Sequence, residues 1–219
     1  MGTLLRLDAS SRNEGSHSRA LCDYFIERWR DRHTEDRIVH RDLAATPVPH
    51  IAARTIEGFY TPPEQFTPEL RRATALSDTL IGELKAADTV LISVPIYNFT
   101  IPSALKAYID HIVRIGHTFD YDGSNFTGLL TGKRAFVFCA YGAGGYLNNG
   151  PLAGFDFLQP YMKLLLGFLG IGETRFFAVE NTTGETAALS VGLARAHNEI
   201  DQAIAACSHP QSATRGEDE

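Results

Sequence analysis

Cysteine is scarce in this chain and poorly placed for pairing. Cys22, Cys139 and Cys207 are odd in number, far apart and free of any CxxC spacing. Neither a disulfide framework nor a zinc site follows, and a reducing cytoplasm fits best. Clustered positive charge is also missing. Beyond Arg71-Arg72 and Lys133-Arg134 there is no basic run, and the formal net charge is -6. The sequence therefore lacks the electrostatic footprint that nucleic acid or an anionic membrane requires. No apolar stretch is long enough to span a bilayer, and the first residues lack the apolar run of a signal peptide. The Asn-x-Thr triplets at Asn98, Asn125 and Asn181 then read as chance, because no secretory context accompanies them. The eight histidines include no HxxxH pair, which argues against a metal centre. What remains is a chain of 219 residues, 44% of them hydrophobic, sized for one domain with small-molecule partners.

Short strand-like runs at 3–8, 37–42, 89–95, 134–140 and 174–180 alternate with helical stretches at 17–32, 68–86, 102–115, 160–169 and 185–207. Leu70, Ala73, Leu76, Leu80 and Leu84 follow the helical period. Residues 90–94 and 135–139 are nearly continuously apolar, as strands covered on both faces must be. The fivefold β-α alternation predicts an α/β domain over 1–207. Its core would be a doubly wound, five-stranded parallel sheet of order 2-1-3-4-5 with helices on both faces. The connection at 43–67, with Pro47, Pro49, Pro62 and Pro63, has too ordered a composition for a flexible linker. The polar tail at 208–219 is expected to be disordered.

In such a sheet ligands bind beyond the carboxyl ends of the strands, where the loops leaving strands one, three and four line one crevice. The first loop runs from Ala9 to Ser18. It lacks GxGxxG and a P-loop lysine, which disfavours a dinucleotide fingerprint and an NTPase. Instead Ser10, Ser16, His17 and Ser18 bring hydroxyls and a helix start. Ser16 either caps its own helix or joins a site for a phosphate monoester. Arg12, His17 and Arg19 crowd a helix N-terminus that is already positive, a conflict that a bound anion would resolve and that Glu14 partly offsets. The second loop, Pro95-Ile96-Tyr97-Asn98-Phe99, either covers core or forms a stiff ledge for a planar ring, with Asn98 able to donate and accept. The third, Ala140-Tyr141-Gly142-Ala143-Gly144-Gly145-Tyr146, is either a tight turn or a close-approach loop whose tyrosines bracket a ring.

Ser10, the Ser16-His17-Ser18 triplet, Pro95-x-Tyr97-Asn98-Phe99 and Leu166-Gly167-Phe168-x-Gly170-Ile171 resemble the FMN-dependent NADH-azoreductase and quinone reductase family, which has a flavodoxin-like fold. Arg41-Asp42-Leu43-Ala44 and Leu76-Ser77-Asp78 extend the similarity over nearly the whole chain. The resemblance implies FMN as cofactor, with Ser10, Ser16, His17 and Ser18 at its phosphate. Pro95, Ile96, Tyr97, Asn98 and Phe99 would lie along its ring, with Ala140, Tyr141, Gly142 and Ala143 against the flavin. It also implies NADH or NADPH as donor, quinones and azo compounds as acceptors, and a ping-pong cycle with the chemistry on the flavin rather than on a catalytic side chain. The third loop departs from the family's usual Ser-Arg-Gly-Gly, losing a hydroxyl and a positive charge. Tyr121 and Phe168 are the substrate-facing candidates. The apolar stretch at 155–169 must be buried, in the core or, more economically, in a homodimer interface that completes the pocket.

Two rivals share the topology. A flavodoxin-type electron carrier without its own substrate would not need an apolar dimer face or the 43–67 excursion, and direct NADH oxidation separates it from an enzyme. A phospho-receiver domain needs an acidic cluster at the ends of strands one and three, where only Asp8 stands.

Overall fold

The computed structural model describes residues 1–184 and 186–207. The tail at 208–219, and Glu185 at the start of the last predicted helix, lie outside them. In chain order the elements are β1 (Thr3–Asp8), α1 (His17–Arg30), β2 (Arg37–Asp42), α2 (Ala53–Tyr60), α3 (Pro68–Ala86), β3 (Thr89–Pro95), α4 (Ser103–Ile112), β4 (Phe119–Tyr121), β5 (Phe126–Gly128), β6 (Arg134–Ala140), α5 (Leu158–Phe168), β7 (Glu173–Val179) and α6 (Ala187–Ala206). Five strands form one parallel sheet in the order β2-β1-β3-β6-β7. Counted along the sheet, that is the expected 2-1-3-4-5.

Alternate side chains of the central strands enter two separate apolar clusters. Leu5, Leu7, Val90, Ile92, Val137 and Cys139 pack with residues of α3, α4 and α5. Leu4, Leu91, Phe136 and Phe138 pack with Leu21, Phe25 and Trp29 of α1 and with Ala196 and Ile200 of α6. A strand turns successive side chains to opposite faces, so burial on both faces requires the near-continuous apolar runs seen in β3 and β6. Among the described residues, no helix is long and apolar enough to cross a membrane.

Three features add to or differ from the sequence expectation. The 43–67 connection contains α2 and a turn of 3-10 helix at Pro63–Gln65. It is docked on the body: His111 Nε2 donates to the Pro49 carbonyl at 3.0 Å, and the Arg114 guanidinium lies 4.8 Å from the Phe59 ring centre. An antiparallel ribbon, β4 with β5, occupies what reads as loop, because three-residue strands carry no measurable periodicity. Helix α5 begins at Leu158, two residues before Pro160. Asp156 Oδ1 accepts from the N–H groups of Leu158 and Gln159, and proline is tolerated within a first turn.

Candidate functional site

Past the end of β1 the chain crosses Ser10, which is buried, and reaches the start of α1 at an extended Ser16. The Ser16 hydroxyl does not cap its helix but lies 3.3 Å from Ser18 Oγ. The first turn contains no acidic residue. Its N–H groups at His17, Ser18 and Arg19 have no hydrogen-bond partner among the described residues. Helix dipole and free donors together make this end a receptor for an anion. Arg12 and His17 stand beside it, while the exposed Glu14 stands apart.

Arg19 departs from the sequence expectation. Its guanidinium is drawn away from the anion position by two bonds to Asp42, at 2.6 and 3.0 Å, by the Ser10 carbonyl at 2.7 Å and by a longer contact with Asp8. Two carboxylates, not a bound anion, resolve its share of the crowding. With Arg19 as the largest influence, and the Ala45 and Ala44 N–H groups adding to it, the Asp42 carboxyl is held well below the usual carboxylate range. Asp8 is buried and accepts from Ser93 Oγ at 2.6 Å, with His40 Nε2 at 2.8 Å. Asp8, His40 and Asp42 lie close enough together to share a cation. Arg6 and Arg19 already occupy those carboxylates and oppose a second positive charge.

The loop after β3 is a two-residue reversal. Tyr97 N–H donates to the Thr100 carbonyl at 2.8 Å and Thr100 N–H to the Tyr97 carbonyl at 3.1 Å. Between them Asn98 and Phe99 have φ of 47° and 75°. Asparagine tolerates that region, but for phenylalanine it is a strained conformation costing about 1–3 kcal/mol, of the kind that gathers at functional sites. The N–H groups of Asn98 and Phe99 face no protein partner among the described residues. Across the cleft, the Tyr97 hydroxyl meets Ser11 Oγ at 2.7 Å and joins the second loop to the first.

The third loop corrects one expectation. Tyr141 does not bracket a ligand: it is fully buried, its hydroxyl donates to Asp156 at 3.0 Å and accepts from Gln159 at 2.9 Å. Burial pushes its phenol well up, so it remains a donor. Its ring stacks on Tyr146 with centres 5.0 Å apart, leaving no room for a ring between the two.

A cleft of about 200 Å³ collects Ser10, Ser16, His17 and Ser18 from the first loop, Pro95, Ile96 and Tyr97 from the second, and Ala140 and Gly142 from the third. Asn98, Phe99, Tyr141 and Ala143 lie outside its wall. Phe99 is half exposed, 5.6 Å from the Phe155 ring. Sequence reasoning missed Thr182 and Thr183, which line the same cleft from the loop after β7. The signal was available as two hydroxyl residues beyond a strand end, but only the loops leaving strands one, three and four were placed at the crevice. Tyr121 and Phe168 are brought together elsewhere, in an aromatic cluster built on the β4-β5 ribbon. Phe168 lies 4.9 Å from Phe119 and 5.6 Å from Phe126, which stacks on Tyr121 at 4.6 Å.

A family model described as a flavodoxin-like fold matches residues 2–204. An FMN-dependent NADH:quinone oxidoreductase from Xanthobacter autotrophicus is 57% identical over 170 residues, covering 78% of this chain and 82% of that protein. One of the same name from Nostoc punctiforme is 43% identical, covering 94% of this chain and 99% of that protein. Among solved structures, an azoreductase from Bacillus anthracis superposes with a TM-score of 0.84 at 26% identity, covering 93% of this chain and 99% of that one. An FMN-dependent NADH-azoreductase from the same species, in complex with FMN, gives 0.82 at 25% identity, covering 93% and 98%.

Proposed function

The chain belongs to the FMN-dependent NADH:quinone oxidoreductase family of flavodoxin-like proteins, and from that premise we propose that it binds one FMN in this cleft and carries hydride from NADH or NADPH to quinones or azo compounds. The observation that carries the reading is the set of unpartnered backbone donors. They stand at the start of α1, at Asn98 and Phe99, and at Gly142 and Ala143, on three loops that sequence-distant strands bring together. Donors of this kind suit a ligand with a dianionic phosphate at one end and a hydrogen-bonding ring edge at the other.

Each part of the chain then has a task. The N–H groups of His17, Ser18 and Arg19, with the hydroxyls of Ser10, Ser16 and Ser18, hold the phosphate, and Arg12 and His17 stand near it. A volume of about 200 Å³ is below the roughly 300–1,000 Å³ of pockets that enclose a whole ligand. Ile96, Tyr97, Asn98 and Phe99 would hold the ring at the cleft mouth. FMN held by these residues would supply the hydride chemistry, with one face left open to nucleotide and acceptor. Backbone N–H groups at Asn98 and Gly142 would stabilise negative charge on the reduced ring without moving, since their turns are already set. We assign the open face to completion by a second copy, through the apolar surface that carries Leu164, Phe168, Tyr121 and Phe126. The division of the core between two clusters supports a doubly wound reading of the sheet, and the chemistry suits a cytoplasmic setting.

The test is direct. Purified protein is expected to take up FMN with quenching of flavin fluorescence, to lose its absorbance near the flavin maximum on addition of NADH, and to regain it with benzoquinone. A protein that stays colourless in excess FMN overturns the reading. One that binds FMN but does not oxidise NADH is an electron carrier instead.

A further inference from the structure

The shape of the loop after β6 is imposed from outside. Residues 141–147 form no helix or strand, and three of the seven are glycines that would otherwise sample many conformations. Four residues beyond β7 hold them. The Tyr141 carbonyl accepts from Thr182 twice, from its N–H at 3.1 Å and from Oγ1 at 3.0 Å. The Gly142 carbonyl accepts from Thr183 Oγ1 at 3.2 Å. Glu180 Oε1 accepts from the N–H groups of Tyr146 at 2.6 Å and Leu147 at 3.0 Å. Asn181, with φ of 62°, reverses the chain so that these donors and acceptor face one loop. The consequence lies on the opposite side of the same peptides. With the carbonyls of Tyr141 and Gly142 engaged, the N–H groups of Gly142 and Ala143 are left without a partner among the described residues, and Gly142 sits in the cleft wall.

We propose that Thr182 and Thr183 are positioning residues for the cofactor: by holding the carbonyls of Tyr141 and Gly142 they aim the adjoining N–H groups at the ring. This rests on the FMN reading of the cleft. Backbone donors on a glycine-rich loop are useful only if that backbone is fixed.

Thr183 is exposed, and Gly142 is the only hydrogen-bond partner of its hydroxyl among the described residues, so Thr183→Val removes the bond with little change of shape. The measurements are FMN affinity by fluorescence quenching, the midpoint potential of the bound flavin, and the melting temperature of the FMN-free chain. Thr183→Val is expected to weaken FMN binding about three- to tenfold, the size of one net hydrogen bond. It is expected to move the potential to more negative values, and to leave the melting temperature in place. Thr183→Ser restores both affinity and potential. Wild-type affinity and potential in Thr183→Val, or a serine variant that behaves like valine, overturns the positioning role and leaves the FMN reading standing. A wild-type chain that takes up no FMN overturns both.

Discussion

Arg19 shows how one side chain can be read correctly for charge and wrongly for direction. Its place in the first turn of α1 suggests that it faces an anion, yet it turns to Asp42 and Asp8 and ties the Ser10 carbonyl to the end of β2. Removing it leaves Asp42 without its main counter-charge, while Asp8 keeps Arg6 at 3.0 Å. Arg19→Gln is expected to cost about 2–3 kcal/mol in urea unfolding, below the loss for a fully buried pair because Asp42 keeps some contact with water. The acid response follows from Asp42. Its folded carboxyl is depressed by Arg19, so the associated stability is present above the unfolded value near 3.9 and is lost as pH falls through the lower folded value. The stability gap between wild type and Asp42→Asn is therefore expected to be widest near pH 7 and to close progressively below about pH 4. A gap that does not change with pH would show that Asp42 is not held as an ion.

At the scale of elements, the β4-β5 ribbon owes its position to two backbones in contact. A Cβ added to Gly128 would meet the Gly170 amide nitrogen at 2.1 Å, and Leu130 N–H donates to the Leu169 carbonyl at 2.8 Å. Gly128→Ala must push the ribbon from the end of α5, at a cost of about 1–3 kcal/mol or more in chemical denaturation. Loss of the Phe126–Phe168 contact would accompany it. Gly82 is the opposite case. It lies within α3 with open space where a Cβ would stand, so Gly82→Ala is expected to stabilise by about 0.5–1 kcal/mol. The contrast also marks what was legible. The 3.6 period of α3 is written along nineteen residues, whereas neither strand of the ribbon exceeds three, and a contact between Gly128 and Gly170 has no local trace at all.

At the scale of the whole molecule, the question is what covers the surface left apolar. Leu164 and Phe168, four apart on α5, share a face, and Leu164 is 72% exposed while Leu158, Met162, Leu165 and Leu166 fill the core. The sequence expectation offered core or interface for this stretch; the helix supplies core with one side and leaves Leu164 open on another. If a second copy covers it, sedimentation of the wild type shows a dimer, and Leu164→Glu weakens self-association by at least about tenfold without lowering thermal stability of the separated chain. A wild-type monomer at micromolar concentration would count against the shared-pocket reading.

The order of the five core strands, the apolar runs in β3 and β6, and the gathering of serines, aromatics and glycines at three strand ends were determined by the sequence alone. Each depends on patterns repeated over a few neighbouring residues, or on topology that short crossovers permit. Tertiary structure decided the rest. It turned Arg19 away from the anion position, sank Tyr141 into the core against Asp156 and Gln159, and folded residues 53–60 into α2 on the body. It also brought Thr182 and Thr183 to a cleft whose other residues lie about 40 to 170 positions earlier in the chain. The direction of a side chain at a strand end is set by whichever partner completes its hydrogen bonds, and those partners come from elements that only the folded chain brings alongside.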